Sequence, residues 1–166
     1  ASGQIEASQL VSVGARVSGR IEELPVKLGQ QVHQGDLIAR MDSQDQQNEI
    51  RQAEADLANI DAQISAKTAT LTRARQVLER QKALGSANFS SRDTVESATA
   101  EVTVAAADLD ALAAQKARAE VSLSTARISL ERTRITAPIS GTIVAVVVEA
   151  GQTINSLQSA PTLVKI

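Results

Sequence analysis

Between Gly35 and Gly141 the chain holds a single glycine, Gly85, and a single proline, Pro138. The stretch is rich in Ala, Gln, Glu, Arg and Leu, residues that a helix favours or tolerates, so it predicts a long helical element interrupted once. The other seven glycines and the remaining prolines, Pro25 and Pro161, lie in the two flanks. There Val, Ile and Gly recur in short runs, as over residues 139–154, with turn signals at Leu28-Gly29 and Gly35-Asp36, and the flanks read as strands. A chain of 166 residues divided in this way suits one small domain carrying an extended insertion.

Within the helical stretch, apolar or small residues recur with alternating spacings of three and four at Ile50, Ala53, Leu57, Ile60, Ile64, Leu71, Ala74 and Leu78. The alternation restarts after Gly85 at Val95, Ala98, Val102, Ala105, Leu109, Leu112, Ala119, Leu123, Ala126 and Leu130. Each run is a heptad seam, and only Lys67 and Lys116 interrupt them. If the chain reverses near residue 88, one register sets Leu78 against Ala98, Leu71 against Ala105, Ile64 against Leu112 and Leu57 against Ala119. Large residues meet small ones repeatedly, which permits close packing. Lys67 and Lys116 are expected to snorkel from the seam to solvent, the alternative being a role in register. Ser43 with Gln46, and Ser90 with Asp93, are expected to form capping boxes that open the two helices. Each helix then runs about 40 residues, or roughly 60 Å.

The flanks repeat each other. Laying residues 17–32 on 139–154 matches Ser18 with Ser140, Gly19 with Gly141, Ile21 with Ile143, Val26 with Val148, Gly29 with Gly151 and Gln30 with Gln152. Val17/Ile139, Leu24/Val146 and Val32/Ile154 are conservative replacements. Neither copy alone can bury a sheet face, but two packed together make a small β-sandwich.

Several classes of function are excluded by composition. No Cys, Trp or Tyr is present and only one Phe, which removes disulfide scaffolds, thiolate metal sites and aromatic stacking platforms. One His leaves no His-rich metal site, and a net charge of -2 gives no drive toward phosphate backbones, so no nucleic-acid partner is expected. No Gly-rich phosphate loop occurs, and His33 has no nucleophile at a recognisable spacing, so no enzyme is expected. His33 reads as a solvated turn residue.

Val17-Ser18-Gly19-Arg20-Ile21, Val26-Lys27-Leu28-Gly29-Gln30-Gln31-Val32 and Gly35-Asp36-Leu37-Ile38-Ala39-Arg40-Met41-Asp42 together resemble the first half of a lipoyl-like domain. Thr133-Arg134-Ile135-Thr136-Ala137-Pro138-Ile139-Ser140-Gly141, followed by Ala150-Gly151-Gln152-Thr153-Ile154, resembles the second. With a helical hairpin between them, the chain resembles the periplasmic adaptors, or membrane fusion proteins, of tripartite exporters, and its ending is most similar to the MacA-type branch. The resemblance implies an α+β fold in which a long antiparallel coiled-coil hairpin is inserted between the halves of a lipoyl-like β-sandwich domain. The expected parts are residues 10–42 and 133–166 as the two halves and 43–132 as the hairpin, with its tip at about 84–91. Residues 1–9 are expected to be a remnant or linker toward an absent β-barrel domain.

The same resemblance implies candidate sites. Lipoyl carriers present a modifiable Lys where the halves join, but this junction reads Arg40-Met41-Asp42-Ser43, so no cofactor is expected. At the reversal, Arg80, Leu84 and Ser91 match the spacing with which family adaptors meet the outer-membrane channel. Arg80 and Leu84, four residues apart, share a helix face. The alternative is that Arg80 is solvated, Leu84 closes the coiled coil and Ser91 caps the second helix. Phe89 is either a contact for the partner or a plug over the hairpin end. Residues 73–92 hold five basic side chains and one acidic, against one and six over 42–61, so the tip is comparatively basic.

Gln152 matches a residue that lines a gating ring in MacA-type adaptors. There, amides that both donate and accept can close on one another, although Gln30 occupies the equivalent turn. The implied function is that of an adaptor linking an inner-membrane MacB-like ABC transporter to a TolC-like outer-membrane channel. It would stand in the Gram-negative periplasm as a homo-hexamer anchored to the inner membrane, a sealed conduit for macrolides, siderophores or other small molecules. The alternatives are an adaptor of an RND pump or a type I secretion system, or a purely structural oligomeric rod.

Overall fold

The computed structural model describes residues 10–88, 90–156 and 161–166. Two compact units are formed, one from the residues up to Glu49 together with Thr125–Ile166, the other from Ile50–Ser124.

The first unit contains β1 (Ser12–Gly14), β2 (Gly19–Glu23), β3 (Gln31–Val32), β4 (Leu37–Met41), β5 (Arg134–Thr136), β6 (Gly141–Thr142), β7 (Ala145–Val146), β8 (Thr153–Ile154) and β9 (Thr162–Lys165). They pair in the orders β1-β9-β7, β5-β4-β2-β8 and β3-β6, all antiparallel. The repeat seen in the sequence organises all three sheets. The pairing of β2 with β8 is the counterpart of that of β6 with β3, and the pairing of β4 with β5 is the counterpart of that of β9 with β1.

The two copies interlock rather than sit side by side. Gly29 N–H donates to Ile143 O at 2.8 Å, and its counterpart Gly151 N–H donates to Ile21 O at 2.8 Å. Ile143 N–H returns to Gln30 O and Ile21 N–H to Gln152 O, each at 2.9 Å. Gly29 and Gly151 have φ of 81° and 90°, a left-handed conformation that a side chain disfavours, which is why both turns carry glycine.

The core follows the same rule. Val13, Ala15, Ile21, Val26 and Val32 are buried, and so are their equivalents Ile135, Ala137, Ile143, Val148 and Ile154. After a three-residue step, Ile38, Ala39 and Met41 correspond to Leu163, Val164 and Ile166, again all buried. Every residue of the buried cluster thus has its counterpart in the other copy. The match at β1/β5 and β4/β9 lies beyond the segments whose identity made the repeat visible.

The second unit is built on α1 (Gln44–Ser86) and α2 (Arg92–Glu131), whose first and last turns respectively belong to the β-unit. The predicted seam is the buried face: Ala53, Leu71 and Leu78 on α1, and Ala98, Ala105, Leu112 and Leu123 on α2. Ile60, Ile64, Ala74, Val95, Val102 and Leu109 are half-buried beside them.

The two seam lysines do not simply snorkel to water. Lys67 Nζ lies 2.7 Å from Asp108 Oδ2, and Lys116 Nζ 2.8 Å from Asp61 Oδ1, each pair crossing from one helix to the other. Since Lys67 stands opposite Leu109 and Lys116 opposite Ile60 in the predicted register, both lysines reach the position next to their expected neighbour. They therefore mark the register at two heights.

The helix ends also differ from expectation. Ser43 Oγ accepts from Gln47 Nε2 at 3.0 Å and Asp42 accepts from Gln44 N–H at 3.1 Å, while Gln46 Oε1 is buried without a partner among the described residues. The first helix is opened by Asp42 and Ser43, without a capping box to Gln46. On α2 the N-cap is Ser91, one residue after the expected Ser90: Thr94 N–H donates to Ser91 Oγ at 3.2 Å, and the two hydroxyls lie 2.7 Å apart. Ser90 Oγ instead donates to Gln81 Oε1 at 2.7 Å.

Gly85, expected to interrupt the helices, is helical, and the residue in the left-handed conformation is Asn88 at φ 59°. Asn tolerates that region because its short polar side chain bonds locally. At the far end of α2, buried Thr133 closes the helix by donating both its N–H and its hydroxyl to Leu130 O, at 3.1 and 2.7 Å, while its carbonyl accepts from Met41 N–H.

Candidate functional site

The reversal between the helices is built by short-range bonds. Ala87 N–H donates to Leu84 O at 3.2 Å and Asn88 N–H to Gly85 O at 3.1 Å, while Ser86 Oγ bonds back to Lys82 O at 3.0 Å. These contacts tie off the last turn of α1 and place Leu84 in it, 38% exposed, with Arg80 exposed one turn earlier. Ser91 starts α2 across the reversal, exposed and engaged as the N-cap. The structure thus brings an exposed guanidinium, an exposed apolar side chain and a capping hydroxyl to one end of the hairpin. The sequence offered contact and capping as alternatives for Ser91, and the capping bond is present. The role expected for Phe89 lies outside the described residues.

Gln152 closes the turn 149–152. Its Oε1 accepts from Glu149 N–H at 3.2 Å and its own N–H donates to Glu149 O at 3.2 Å. Gln30 does the same in the equivalent turn, accepting from Lys27 N–H at 2.9 Å and donating to Lys27 O at 3.1 Å. Both side chains are exposed. With its oxygen committed to the turn, the amide of Gln152 presents Nε2, which carries two N–H donors. His33 is 86% exposed; its N–H donates to Asp36 Oδ2 at 2.8 Å and its Nδ1 lies 3.6 Å from the same atom, the arrangement of a solvated turn.

The protonation equilibrium of Lys116 is displaced upward. The hydrogen bond that the ammonium donates to Asp61, then the charge of that carboxylate, hold Lys116 above the usual lysine value of 10.5. Among the described residues no group of His, Cys, Asp and Glu could hold a metal ion, and no helix is long and apolar enough to cross a membrane.

Two features escaped the sequence reading. The interhelical ion pairs were hidden because Asp61 and Asp108 look like any other charge beside a coiled-coil seam. An open cleft in the β-unit, bordered by β1 and β5, was hidden because Ser12-Val13-Gly14 and Arg134-Ile135-Thr136 share only an apolar central residue.

An interlocked β-repeat interrupted by a coiled-coil hairpin defines a class. Residues 9–166 match the family described as RND MFP, barrel-sandwich hybrid domain, and the chain belongs to this family of membrane fusion proteins, a structural and non-enzymatic class. It is similar to the macrolide export protein MacA of Yersinia pestis, with 37% identity over 163 residues, which is 98% of this chain and 44% of that protein. It is also similar to the pyoverdine export membrane fusion protein PvdR of Pseudomonas putida, with 36% identity over 166 residues, all of this chain and 42% of that one. The crystal structure of MacA from Actinobacillus actinomycetemcomitans superposes with a TM-score of 0.92 at 40% identity, covering 97% of this chain and 50% of the other. The chain therefore spans about half the length or less of these relatives.

Proposed function

We propose that this chain is the hairpin and lipoyl-like part of a periplasmic adaptor that joins an inner-membrane MacB-like ABC exporter to a TolC-like outer-membrane channel. The full protein would be anchored to the inner membrane and assemble as a homo-hexamer whose hairpins form a sealed tube. The observation that carries this reading is the hairpin end, where Arg80 and Leu84 lie exposed one turn apart and Ser91 begins the returning helix. Support also comes from the agreement with the MacA structure across both the β-unit and the hairpin segments.

In this reading Arg80 offers a planar, permanently charged fork to an acidic groove on the channel, and Leu84 fills an apolar notch beside it. Ser91 fixes where the second helix starts. Gln152 lines the conduit of the hexamer and, with its oxygen held in its own turn, turns N–H donors toward the passing solute, as a ring that closes behind it. The cargo is a macrolide, a siderophore such as pyoverdine, or another small molecule, and the exporter supplies the energy.

The test is a pull-down of the channel's periplasmic tip by the full-length protein, comparing wild type with Leu84→Ser while circular dichroism monitors helix content. Loss of capture with helix content retained supports the docking role, and equal capture by both proteins removes it. For the gate, Gln152→Ala is expected to impair export without dissociating the hexamer; unchanged export would leave a structural rod.

A second reading, an adaptor of a proton-driven RND pump, is favoured by the description of the matching family. The two separate on one measurement, because only a partner of an ABC exporter is expected to stimulate an ATPase.

A further inference from the structure

Among the described residues, β1 and β5 are edge strands of the β-unit, each paired on one side. β1 is the outer strand of the three-stranded sheet and β5 that of the four-stranded sheet, and the two are equivalent strands of the repeat. In an antiparallel ladder, alternate residues turn their N–H and C=O toward the partner strand. On β1, Val11 exchanges both bonds with Ile166, at 2.9 and 3.0 Å, so Ser12, the next residue, turns its backbone groups away from β9. On β5, Thr133 accepts from Met41 N–H and Ala137 donates to Asp36 O, both at 2.9 Å, so Arg134 turns its backbone groups away from β4.

Ser12 and Arg134 are counterparts in the repeat, and both line one cleft of about 760 Å³. Ile128, Ile135 and Pro138, with Val11, Val13 and Ala15, supply its apolar lining. Arg16, Arg132 and Arg134 line it as well, against the single acid Glu131. All three arginines are exposed, and none takes part in the ion pairs found among the described residues.

We propose that this cleft takes up an acidic polypeptide segment in extended conformation, which adds as a strand to the free edge of β1 or β5 while its carboxylates meet Arg16, Arg132 and Arg134. An added strand satisfies the outward backbone groups whatever its sequence, and its alternate side chains decide which strands are accepted. Guanidinium forks pair with carboxylates through two parallel bonds, so an acidic segment gains where a neutral or basic one does not. Charged side chains are a common guard on strand edges against unwanted pairing. Here three arginines outweigh the one acid, Glu131, so the cleft repels basic segments and admits acidic ones.

The test uses the 166-residue chain and a fluorescent, end-blocked peptide of about eight residues alternating Val and Glu. Its controls are the same peptide with Lys for Glu, and the acidic peptide methylated at alternate backbone nitrogens in both phases. Anisotropy is expected to show saturable binding of the acidic peptide, about tenfold or more weaker for the Lys peptide and for at least one methylated phase. Amide exchange at Ser12 or Arg134 is expected to slow about tenfold when the peptide saturates. The double variant Arg132→Glu, Arg134→Glu is expected to lose binding by a similar factor with an unchanged melting curve. If it does not fold, exchange in the wild type decides.

Binding that survives methylation in both phases would reduce the cleft to an anion site and overturn strand addition. Equal binding of the Lys peptide, or no binding up to millimolar concentration, would overturn the proposal altogether.

Discussion

The β-unit and the hairpin hold their shape by different means. In the β-unit, Ile21, Ile38, Met41, Ile143, Leu163 and Val164 are fully buried, and each strand is bonded to segments far away in the chain. In the hairpin the most buried side chains are Ala and Leu at 5–8% exposure, and whole turns expose everything outside a narrow seam. There Thr68, Thr70, Thr72, Thr99 and Thr103 return their hydroxyls to the carbonyl four residues earlier. The β-unit is a non-local structure that tolerates few changes. The hairpin is a local one, made of helices that satisfy their own polar groups and of a seam that sets only their pairing.

The largest effect that would test this contrast is expected from Leu163→Ala. Leu163 is fully buried in the β-unit core, so truncation leaves a cavity and costs about 2–5 kcal/mol, read as loss of the cooperative unfolding transition at lower denaturant. Leu71→Ala, in the hairpin seam, is expected to fall at or below the low end of that range, because a narrow seam collapses more easily around a smaller side chain. Its signature is a local loss of hydrogen-exchange protection near residues 67–75, with the β-unit amides unaffected. Equal and global effects from both variants would show that the two units unfold as one.

Next comes a comparison inside the β-unit. A Cβ on Gly141 would stand 2.6 Å from Ile166 Cγ2, whereas on the equivalent Gly19 it would stand 3.4 Å from the flexible end of Met41. Gly141→Ala is therefore expected to cost about 1–3 kcal/mol, as overpacking does, and Gly19→Ala distinctly less, by thermal denaturation. Reversal of that order would mean that Ile166 moves more freely than Met41.

The smallest effect concerns the ion pairs. Removing Lys67 is expected to cost about 0.2–1 kcal/mol, as exposed pairs do. The Lys116–Asp61 pair adds a pH signature. Because Asp61 raises the lysine's protonation equilibrium above 10.5, its contribution is fully present below pH 10.5 and disappears as the pH rises through the elevated value. Hairpin stability in the wild type should therefore fall more steeply above pH 10.5 than in Lys116→Met. Parallel profiles would show that the pair contributes nothing.

The legibility of the sequence follows the same division. Helix seams were readable residue by residue, since a heptad pattern is local and Ala53, Leu71, Ala98, Ala105 and Leu112 sit where the period places them. The repeat was readable over residues 17–32 and 139–154, where identities such as Gly19/Gly141, Ile21/Ile143 and the turns Gly29-Gln30 and Gly151-Gln152 survive. Beyond those segments the copies kept burial but changed residues, as in Ile38/Leu163 and Met41/Ile166, and a three-residue step hid the correspondence. Of the candidate docking end, Arg80 and Leu84 were placed by helical spacing. Ser91 as the cap in place of Ser90 was not, because two adjacent serines offer the same chemistry and the reversal decides between them.

The amino-acid sequence by itself determined that two strand-forming flanks enclose a helical hairpin, how its helices pair, and that the flanks are copies of one unit. These follow from periodicity and from glycines whose backbone conformation excludes other residues. Only the tertiary structure decided that the copies interlock, that Lys67 and Lys116 bond across the hairpin, that Gln30 and Gln152 staple their turns, and that two equivalent strand edges border one basic cleft. The turn staples span only three residues and rest on a side-chain rotamer; each of the others depends on segments far apart in the chain arriving at bonding distance, which no local pattern encodes.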